Sequence, residues 1–204
     1  FTPKNTNALA KKLEVENKKI ILSVCRLVPR KGMDTVLKAL KEIIHQDPNV
    51  IYLIGGSGPD AGRLKVLCKN LGLKDHVKFL GRIAEQELPY YYSLADVFVM
   101  PAELIDGDIE GFGLVYLEAN AAGTPAVGSN VGGVPSAIQD GVTGEICEPT
   151  QKSVANSINN ILEDDEYRES LSEAAITWAS EHDWSNVAAT WSDMIEKETL
   201  LMKN

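Results

Sequence analysis

Short apolar runs alternate along the chain with longer stretches whose apolar residues recur at helical spacing. We interpret the apolar runs at residues 20–25, 50–54, 77–80, 97–100 and 126–128 as buried strands. The clearest helical stretches between them cover residues 33–45 and 63–71. Strands that alternate with helices indicate right-handed βαβ units. The chain is therefore expected to form an α/β, Rossmann-like, three-layer parallel sheet with helices on both faces.

The last quarter of the chain has a different pattern. From residue 154 onward the pattern is helical only, with a break at Asp183-Trp184-Ser185, where Ser185 is expected to be the N-cap of the last helix. Trp184 and Trp191 are seven residues apart and share one helical face, which predicts that they pack. The chain begins with F-T-P-K-N rather than Met, and we interpret it as a piece of a larger protein.

Composition and charge narrow the classes of partner. The 204 residues carry 20 Lys and Arg against 29 Asp and Glu, a net charge of −9. This acidity argues against nucleic acid or an anionic membrane as the main partner. No apolar run approaches the roughly 18 residues of a spanning helix, and no signal peptide is recognisable, so a cytoplasmic location is expected. The three cysteines form no metal-binding pattern and are interpreted as reduced core thiols.

Cations, glycines and a helix start follow the predicted strands. In strand order they are Arg26, Arg30, Lys31 and Gly32; the glycines at 55–58; Gly81 and Arg82; the loop 101–110 with Glu110; and Gly132 and Gly133. A ligand of such a sheet binds outside the carboxyl ends of the strands. Helix N-termini and cationic side chains bind phosphate groups. The sequence therefore predicts a ligand that carries phosphate.

The usual nucleotide motifs do not account for this site. The turn after the first strand reads R-L-V-P-R-K-G and lacks G-x-G-x-x-G, and no G-x-x-x-x-G-K-[ST] is present. The glycine cluster at 55–58 is as consistent with a simple turn as with a ligand contact.

Two glutamates mark residues 108–118, D-I-E-G-F-G-L-V-Y-L-E. We expect Glu110 to begin an apolar helix and Glu118 to lie about 12 Å further along it, at about 1.5 Å per residue. Glutamate is seldom fully buried without a partner, so the pair indicates a site rather than core. A two-carboxylate glycosidase is a rival interpretation, but it leaves the cations and glycines unused.

The order of these motifs carries a family resemblance. The motifs are Arg26-x-x-x-x-Lys31-Gly32, Gly56-x-Gly58-Pro59, Val77-x-Phe79-x-Gly81-Arg82, Ala95-Asp96-Val97-Phe98-Val99-x-Pro101, Glu110-Gly-Phe-Gly-x-x-x-x-Glu118-Ala119, Gly132-Gly133-x-Pro135 and Asp140-Gly141-x-Thr143-Gly144. Together they resemble the C-terminal, donor-binding half of a family 4 retaining glycosyltransferase of the GT-B fold, over essentially the whole chain. V-P-R-K-G and the run around Glu110 are similar to the phosphatidylinositol mannosyltransferase-like branch, which uses GDP-mannose.

The resemblance implies a role for each site residue. Residues 1–204 would form the nucleotide-sugar-binding domain, acting with an N-terminal acceptor domain of the same protein. Arg26, Lys31 and Glu110 would be catalytic, with the two cations on the diphosphate and Glu110 on the transferred hexose. The substrate-binding residues would be Gly56, Arg82, Ile83, Gly111, Phe112, Gly113, Leu114, Val115 and Glu118. Glu118 would accept hydrogen bonds from the ribose hydroxyls.

The implied partners follow from the same resemblance. The donor would be GDP-mannose or, as an alternative, a UDP-sugar, with no cofactor and no metal. Any membrane contact would be made by the N-terminal acceptor domain. A non-catalytic nucleotide-sugar-binding module and a sugar-nucleotide epimerase of the same fold remain alternatives.

Two local features complicate this assignment. Ser136 stands where many relatives have Glu after Gly-Gly-x-Pro, so a contact at that position is in doubt. Asp106-Gly107-Asp108 spells the D-x-D with which another fold of glycosyltransferase holds a divalent ion. Because cations and a helix start already supply positive charge to the phosphates, we interpret it as a solvated acidic loop.

Overall fold

Six parallel strands form one sheet at the centre of the molecule. The structure is a computed structural model that describes the backbone of residues 1–201 and the side chains of residues 1–197. The strands are β1 Lys19–Val24, β2 Val50–Gly55, β3 Val77–Gly81, β4 Val97–Met100, β5 Ala126–Ser129 and β6 Gly144–Cys147. Their order is β3-β2-β1-β4-β5-β6, and each neighbouring pair is parallel. The predicted fold class is confirmed.

Helices connect and cover these strands. They are α1 Asn7–Leu13, α2 Met33–Gln46, α3 Ala61–Asn70, α4 Leu88–Leu94, α5 Leu114–Ala121, α6 Val134–Ala137, α7 Gln151–Glu163, α8 Asp165–Glu181 and α9 Trp184–Leu201, with 3₁₀ turns at Pro29–Lys31 and Glu85–Glu87. Helix α2 packs against α3 and α7, whereas α5 packs against α4 and α8. Since right-handed crossovers run in opposite directions from the sheet centre, these two groups cover opposite faces.

The central strands are buried on both faces. Ile20, Ile21, Leu22 and Ser23 of β1 are all buried, as is every residue of β2, β4 and β5. The Ser23 hydroxyl shares a hydrogen bond with the Tyr52 hydroxyl and donates to the carbonyl of Val99, so its burial leaves no unmet polar group. Because these strands are packed on both faces, they hold the ends of the loops that follow them in fixed positions.

Two elements were missing from the sequence prediction. Strand β6, G-E-I-C, was not expected because it is short, contains a charge, and lies at the edge of the sheet. Helix α1 was not expected because it is only seven residues long; none of its residues is fully buried, although Leu9, Ala10 and Leu13 pack against the core.

The N-cap predicted for the final helix is wrong, and the packing predicted for its two tryptophans is not found within the described residues. Asp183, not Ser185, caps α9, because the Asp183 carboxylate accepts hydrogen bonds from both the backbone N–H and the hydroxyl of Ser185. Trp184 and Trp191 do not pack within the described chain: they are 76% and 61% exposed. The apolar face of α9 has helical spacing but points away from the sheet.

The strand order reverses between β1 and β4. These strands are neighbours in the sheet, yet β2 and β3 separate them in the chain. In doubly wound sheets such a reversal opens a crevice outside the carboxyl ends, where ligands bind. The segments that leave β1 and β4 at this point are residues 25–32 and 101–113.

Candidate functional site

The turn after β1 and the loop after β4 are joined at the crevice. The backbone N–H of Glu103 donates to the carbonyl of Arg30 at 2.7 Å. The Thr35 hydroxyl at the start of α2 donates to Glu103 Oε1 at 3.1 Å. These bonds hold the loop 101–113 against the 3₁₀ turn Pro29–Lys31 and bring cations and carboxylates together.

Glu110 is buried between two cations. Only 7% of the residue is exposed. Arg30 Nη1 donates to Glu110 Oε2 at 2.8 Å, and Lys31 Nζ donates to the same oxygen. Within the described residues, the other carboxylate oxygen, Oε1, accepts no hydrogen bond from protein. The burial of the charge is therefore compensated through one oxygen, and the second is available to a ligand.

Glu110 does not begin the following helix, which corrects the sequence prediction. Helix α5 begins at Leu114, and its N-cap, Gly113, has a left-handed backbone with φ of 80°. Glu110 belongs to the preceding loop, where its carbonyl accepts the N–H of Gly133 at 3.1 Å. The left-handed backbone at Gly113, which glycine adopts without strain, separates this stretch from the helix. The estimated 12 Å separation along one helix therefore does not apply.

The Gly132-Gly133 turn supports the Glu110 loop. A Cβ placed on Gly133 would lie 1.8 Å from the carbonyl oxygen of Gly111. A Cβ on Gly132 would lie 2.0 Å from the carbonyl oxygen of Glu110. Only glycine allows the two backbones to approach this closely, so this motif fixes the loop that carries the site.

Glu118 lies in the second turn of α5 and is half-buried. The Tyr92 hydroxyl donates to Glu118 Oε2 at 2.8 Å, while Oε1 accepts no hydrogen bond from the described protein. Burial raises the pKa of Glu118, and the bond from Tyr92 lowers it in part. Glu110 and Glu118 are thus held in the same way: in each, one carboxylate oxygen is hydrogen-bonded to the described protein and the other is not.

The two predicted cations differ in their surroundings. Arg26 is exposed directly after β1, and within residues 1–197 its guanidinium forms no ion pair. Lys31 is buried at the end of the 3₁₀ turn and bonded to Glu110. Arg26 is free to bind an anion, and Lys31 retains two further donors beside its bond to Glu110.

The remaining predicted residues follow neighbouring strand ends. A Cβ on Gly56 would lie 1.9 Å from the carbonyl oxygen of Cys25, so close packing on the end of β1 is enough to require this glycine. Ile83 is partly buried with its side chain against Gly55, and Arg82 is exposed after β3. Their ligand contacts stay predictions.

Around the start of α5, exposure varies from residue to residue. Gly111, Phe112 and Leu114 are exposed, Val115 is partly buried, and Gly113 is buried. The exposed residues of this turn lie on the same edge of the sheet as Glu110. Ser136, in doubt as a contact, is exposed in α6.

Sequence reasoning missed three residues of the site. Arg30 was noted among the residues that follow the first strand but was not predicted to be a site residue, although its side chain binds Glu110. Asp108 binds Arg30 Nε at 2.8 Å, and Tyr92 anchors Glu118. Only the position of Arg30 beside Lys31 gave a signal in the sequence, because the other two pairings depend on tertiary contacts.

The D-x-D triplet forms a tight turn. Asp106 and Gly107 both have positive φ, and the carboxylate of Asp108 is held by Arg30. Among the residues the structure describes, no three His, Cys, Asp or Glu side chains group closely enough to hold a metal ion. The expectation that no metal is required stays a prediction.

Comparison with known proteins identifies the family. Residues 4–178 match the family described as glycosyl transferases group 1. The chain belongs to this family. Over 191 residues it is 35% identical to the GDP-mannose-dependent alpha-(1-6)-phosphatidylinositol monomannoside mannosyltransferase of Mycobacterium tuberculosis, covering 92% of this chain and 50% of that protein. It is 34% identical over 177 residues to the D-inositol 3-phosphate glycosyltransferase of Corynebacterium aurimucosum, covering 83% and 41%. The predicted resemblance is confirmed.

Solved structures of glycosyltransferases have the same architecture. Anabaena HepE in complex with UDP and glucose superposes with a TM-score of 0.82 at 26% identity, covering 94% of this chain and 53% of that one. Sucrose-phosphate synthase from Thermosynechococcus elongatus gives 0.82 at 29% identity, covering 98% and 50%. The C-terminal domain of the group 1 glycosyltransferase LpcC from Francisella tularensis gives 0.77 at 24% identity, covering 88% and 94%.

The matches cover only part of each curated relative. The chain spans about half the length of the curated relatives it matches, with 50% and 41% coverage of the two described. None of the described helices is both long enough and apolar enough to cross a membrane.

Proposed function

We propose that the chain is the donor-binding domain of a retaining hexosyltransferase that transfers mannose from GDP-mannose, acting with an N-terminal acceptor domain. The observation that carries this proposal is the matched pair Glu110 and Glu118. Each carboxylate is anchored through one oxygen and presents the other, on either side of a glycine-rich helix start. Arg26 lies on the same edge of the sheet and forms no ion pair with the described side chains.

A nucleotide sugar fits this distribution of charge. It has hydroxyl groups at both ends and an anionic diphosphate between them. Glu118 accepts from the ribose hydroxyls and Glu110 from the hydroxyls of the transferred sugar, and sites of this kind discriminate strongly against analogues without those groups. The backbone N–H groups of residues 111–115 and the N-terminus of α5 face the diphosphate. The GDP-mannose dependence of the mycobacterial relative favours GDP-mannose, and the UDP bound to HepE keeps a UDP-sugar as the alternative.

The cations act on the leaving group. As the bond to the sugar breaks, negative charge grows on the diphosphate, and preorganised donors are most stabilising there. Arg26 supplies a guanidinium that pairs with no carboxylate among residues 1–197. Lys31 keeps one donor on Glu110 and turns the other two to the phosphates. Since these groups supply the positive charge, the proposal includes no metal ion or other cofactor.

The proposed partner is an N-terminal half of the same protein. Trp184, Trp191 and Met194 form an exposed apolar face on α9, with Trp184 76% and Met194 53% exposed. Exposed apolar faces of this kind mark interaction surfaces. The relatives contain about as much chain again as they share with this one, and the missing half is proposed to cover this face. A cytoplasmic location, with any membrane contact made through that half, belongs to the same proposal.

Binding and transfer can be tested separately. The chain is titrated with GDP-mannose by calorimetry and screened by thermal shift against GDP, UDP and ADP. We expect binding, with GDP preferred, and no transfer to an acceptor until the upstream half is joined. Robust transfer by this chain alone would contradict the two-domain proposal. Failure to bind any of these nucleotides would contradict the donor-site assignment itself, and binding without transfer in the joined protein would favour a non-catalytic module.

A further inference from the structure

Arg30 connects the two segments that form the crevice. Its carbonyl accepts the N–H of Glu103, its Nε donates to Asp108 Oδ2 at 2.8 Å, and its Nη1 donates to Glu110 Oε2 at 2.8 Å. Both backbone and side chain of Arg30 therefore hold the loop that carries Glu110. The side chain is only 22% exposed.

We infer that Arg30 is a positioning residue that orients Glu110 towards the transferred sugar, and that it is not a ligand of the diphosphate. This inference rests on the proposed function, in which Glu110 accepts the sugar hydroxyls. It assigns sugar selectivity to a residue with no predicted contact with the donor.

The geometry of the guanidinium supports this division of labour. An arginine presents a rigid planar fork of donors, which fixes the direction of the groups it binds, whereas a lysine ammonium is a point charge on a flexible stem. Lys31 compensates the charge of Glu110 without fixing its orientation. Arg30 holds the same Oε2 from a fork that Asp108 anchors on its other edge. Oε1 is left pointing in one defined direction.

Removal of the Arg30 guanidinium is expected to affect the affinity for GDP-mannose but not the affinity for GDP. Without Arg30, Lys31 still pairs with the Glu110 carboxylate, and the loop keeps its Glu103 backbone bond. Arg26 and the start of α5 are unaffected, and nucleoside diphosphate binding is retained. The substitution therefore removes the part of the GDP-mannose affinity that comes from contacts with the sugar.

Asp108 and Asp106 provide a graded variant and a matched control. Asp108 anchors the fork but is itself 69% exposed at the side chain, so its loss loosens Arg30 without freeing Glu110. Asp106 is an exposed carboxylate two residues earlier in the same turn. Replacing it by Asn changes the charge of the loop by the same amount as replacing Asp108.

The experiment measures the dissociation constants of GDP and of GDP-mannose by calorimetry for five chains. They are the unsubstituted chain, Arg30→Ala, Arg30→Lys, Asp108→Asn and Asp106→Asn. For Arg30→Ala we expect GDP affinity to stay within about twofold while GDP-mannose binds about tenfold more weakly, the scale of one charged hydrogen bond. Asp108→Asn and Arg30→Lys should lie between this variant and the unsubstituted chain, and Asp106→Asn should match the latter.

The ratio of the two affinities decides the outcome, because misfolding would lower both together. If Arg30→Ala weakens GDP and GDP-mannose equally, Arg30 is a phosphate ligand or a structural residue, and the inference is overturned. It is also overturned if neither affinity changes, or if the unsubstituted chain binds GDP-mannose no more tightly than GDP. An unsubstituted chain that binds no nucleotide at all would instead overturn the proposed function. The failure of the proposed function is therefore distinguishable from the failure of the inference about Arg30.

Discussion

At the scale of single residues, the proposed contact of Glu118 with the ribose predicts that nucleotide binding depends on pH. Its burial raises the pKa of the carboxyl above the ordinary glutamate value. Only the ionised form is a strong acceptor for ribose hydroxyls, so affinity falls as pH drops through this raised pKa. We expect GDP affinity to fall more steeply for the unsubstituted chain than for Glu118→Gln, measured by calorimetry from about pH 7.5 to about pH 5. Parallel curves would show that Glu118 does not meet the nucleotide.

The same pKa shift predicts an effect on stability. Because the folded chain disfavours the ionised carboxyl, Glu118 lowers the free energy of unfolding at pH values above its folded pKa. This cost disappears once the pH falls below the pKa of an unfolded glutamate. Without ligand, Glu118→Gln should therefore melt at a higher temperature than the unsubstituted chain at neutral pH, with the difference closing on acidification. The amide oxygen of Gln can still accept from Tyr92, which keeps the comparison free of an unpaired hydroxyl.

At the scale of elements, the turn Gly132-Gly133 supports the Glu110 loop. Gly133→Ala forces a Cβ against the carbonyl oxygen of Gly111, 1.8 Å away, so one of the two backbones must move. We expect a loss of about 1–3 kcal/mol in the free energy of unfolding, as for other overpacked sites, together with weaker GDP-mannose binding. Denaturant unfolding followed by calorimetry measures both.

Gly62 is the matched control for that substitution. It lies in α3, and a Cβ there would meet nothing within 4 Å. Gly62→Ala should raise stability by roughly 0.5–1 kcal/mol, since Ala is the better helix former. A Gly133→Ala chain as stable as Gly62→Ala would show that the close approach of the two backbones does not hold the loop.

The sequence predicted the sheet better than it predicted the site contacts. Parallel strands buried on both faces appear as apolar runs, which is why β1, β2 and β4 were recognisable. The start of α5 was misplaced because Leu114–Leu117 look helical whichever residue begins the helix, and the left-handed backbone at Gly113 is a tertiary outcome. Residue types such as Glu110 and Lys31 indicated the chemistry. Their direct contact, and the pairing of Tyr92 with Glu118, arise only when distant segments meet.

At the scale of the whole molecule, the positive charge for the proposed diphosphate site would come from a few residues of an acidic chain. The net charge is −9, so the proposed site would depend on Arg26, Lys31 and the N-terminus of α5 rather than on an overall positive field. We expect the GDP dissociation constant to be unchanged, within about twofold, when EDTA replaces Mg²⁺ or Mn²⁺. A tightening of about tenfold with either ion, lost in the double variant Asp106→Asn with Asp108→Asn, would instead assign a metal site to the D-x-D turn.

The assignment of the two carboxylates to opposite ends of one donor is tested most directly by four dissociation constants. Glu118→Ala and Glu110→Ala are each titrated with GDP and with GDP-mannose. Glu118→Ala should weaken GDP by about 2 kcal/mol, roughly thirtyfold, as expected for a lost charged acceptor. Glu110→Ala should leave GDP nearly unchanged and weaken GDP-mannose. If both substitutions weaken GDP equally, the two glutamates do not bind opposite ends of the donor.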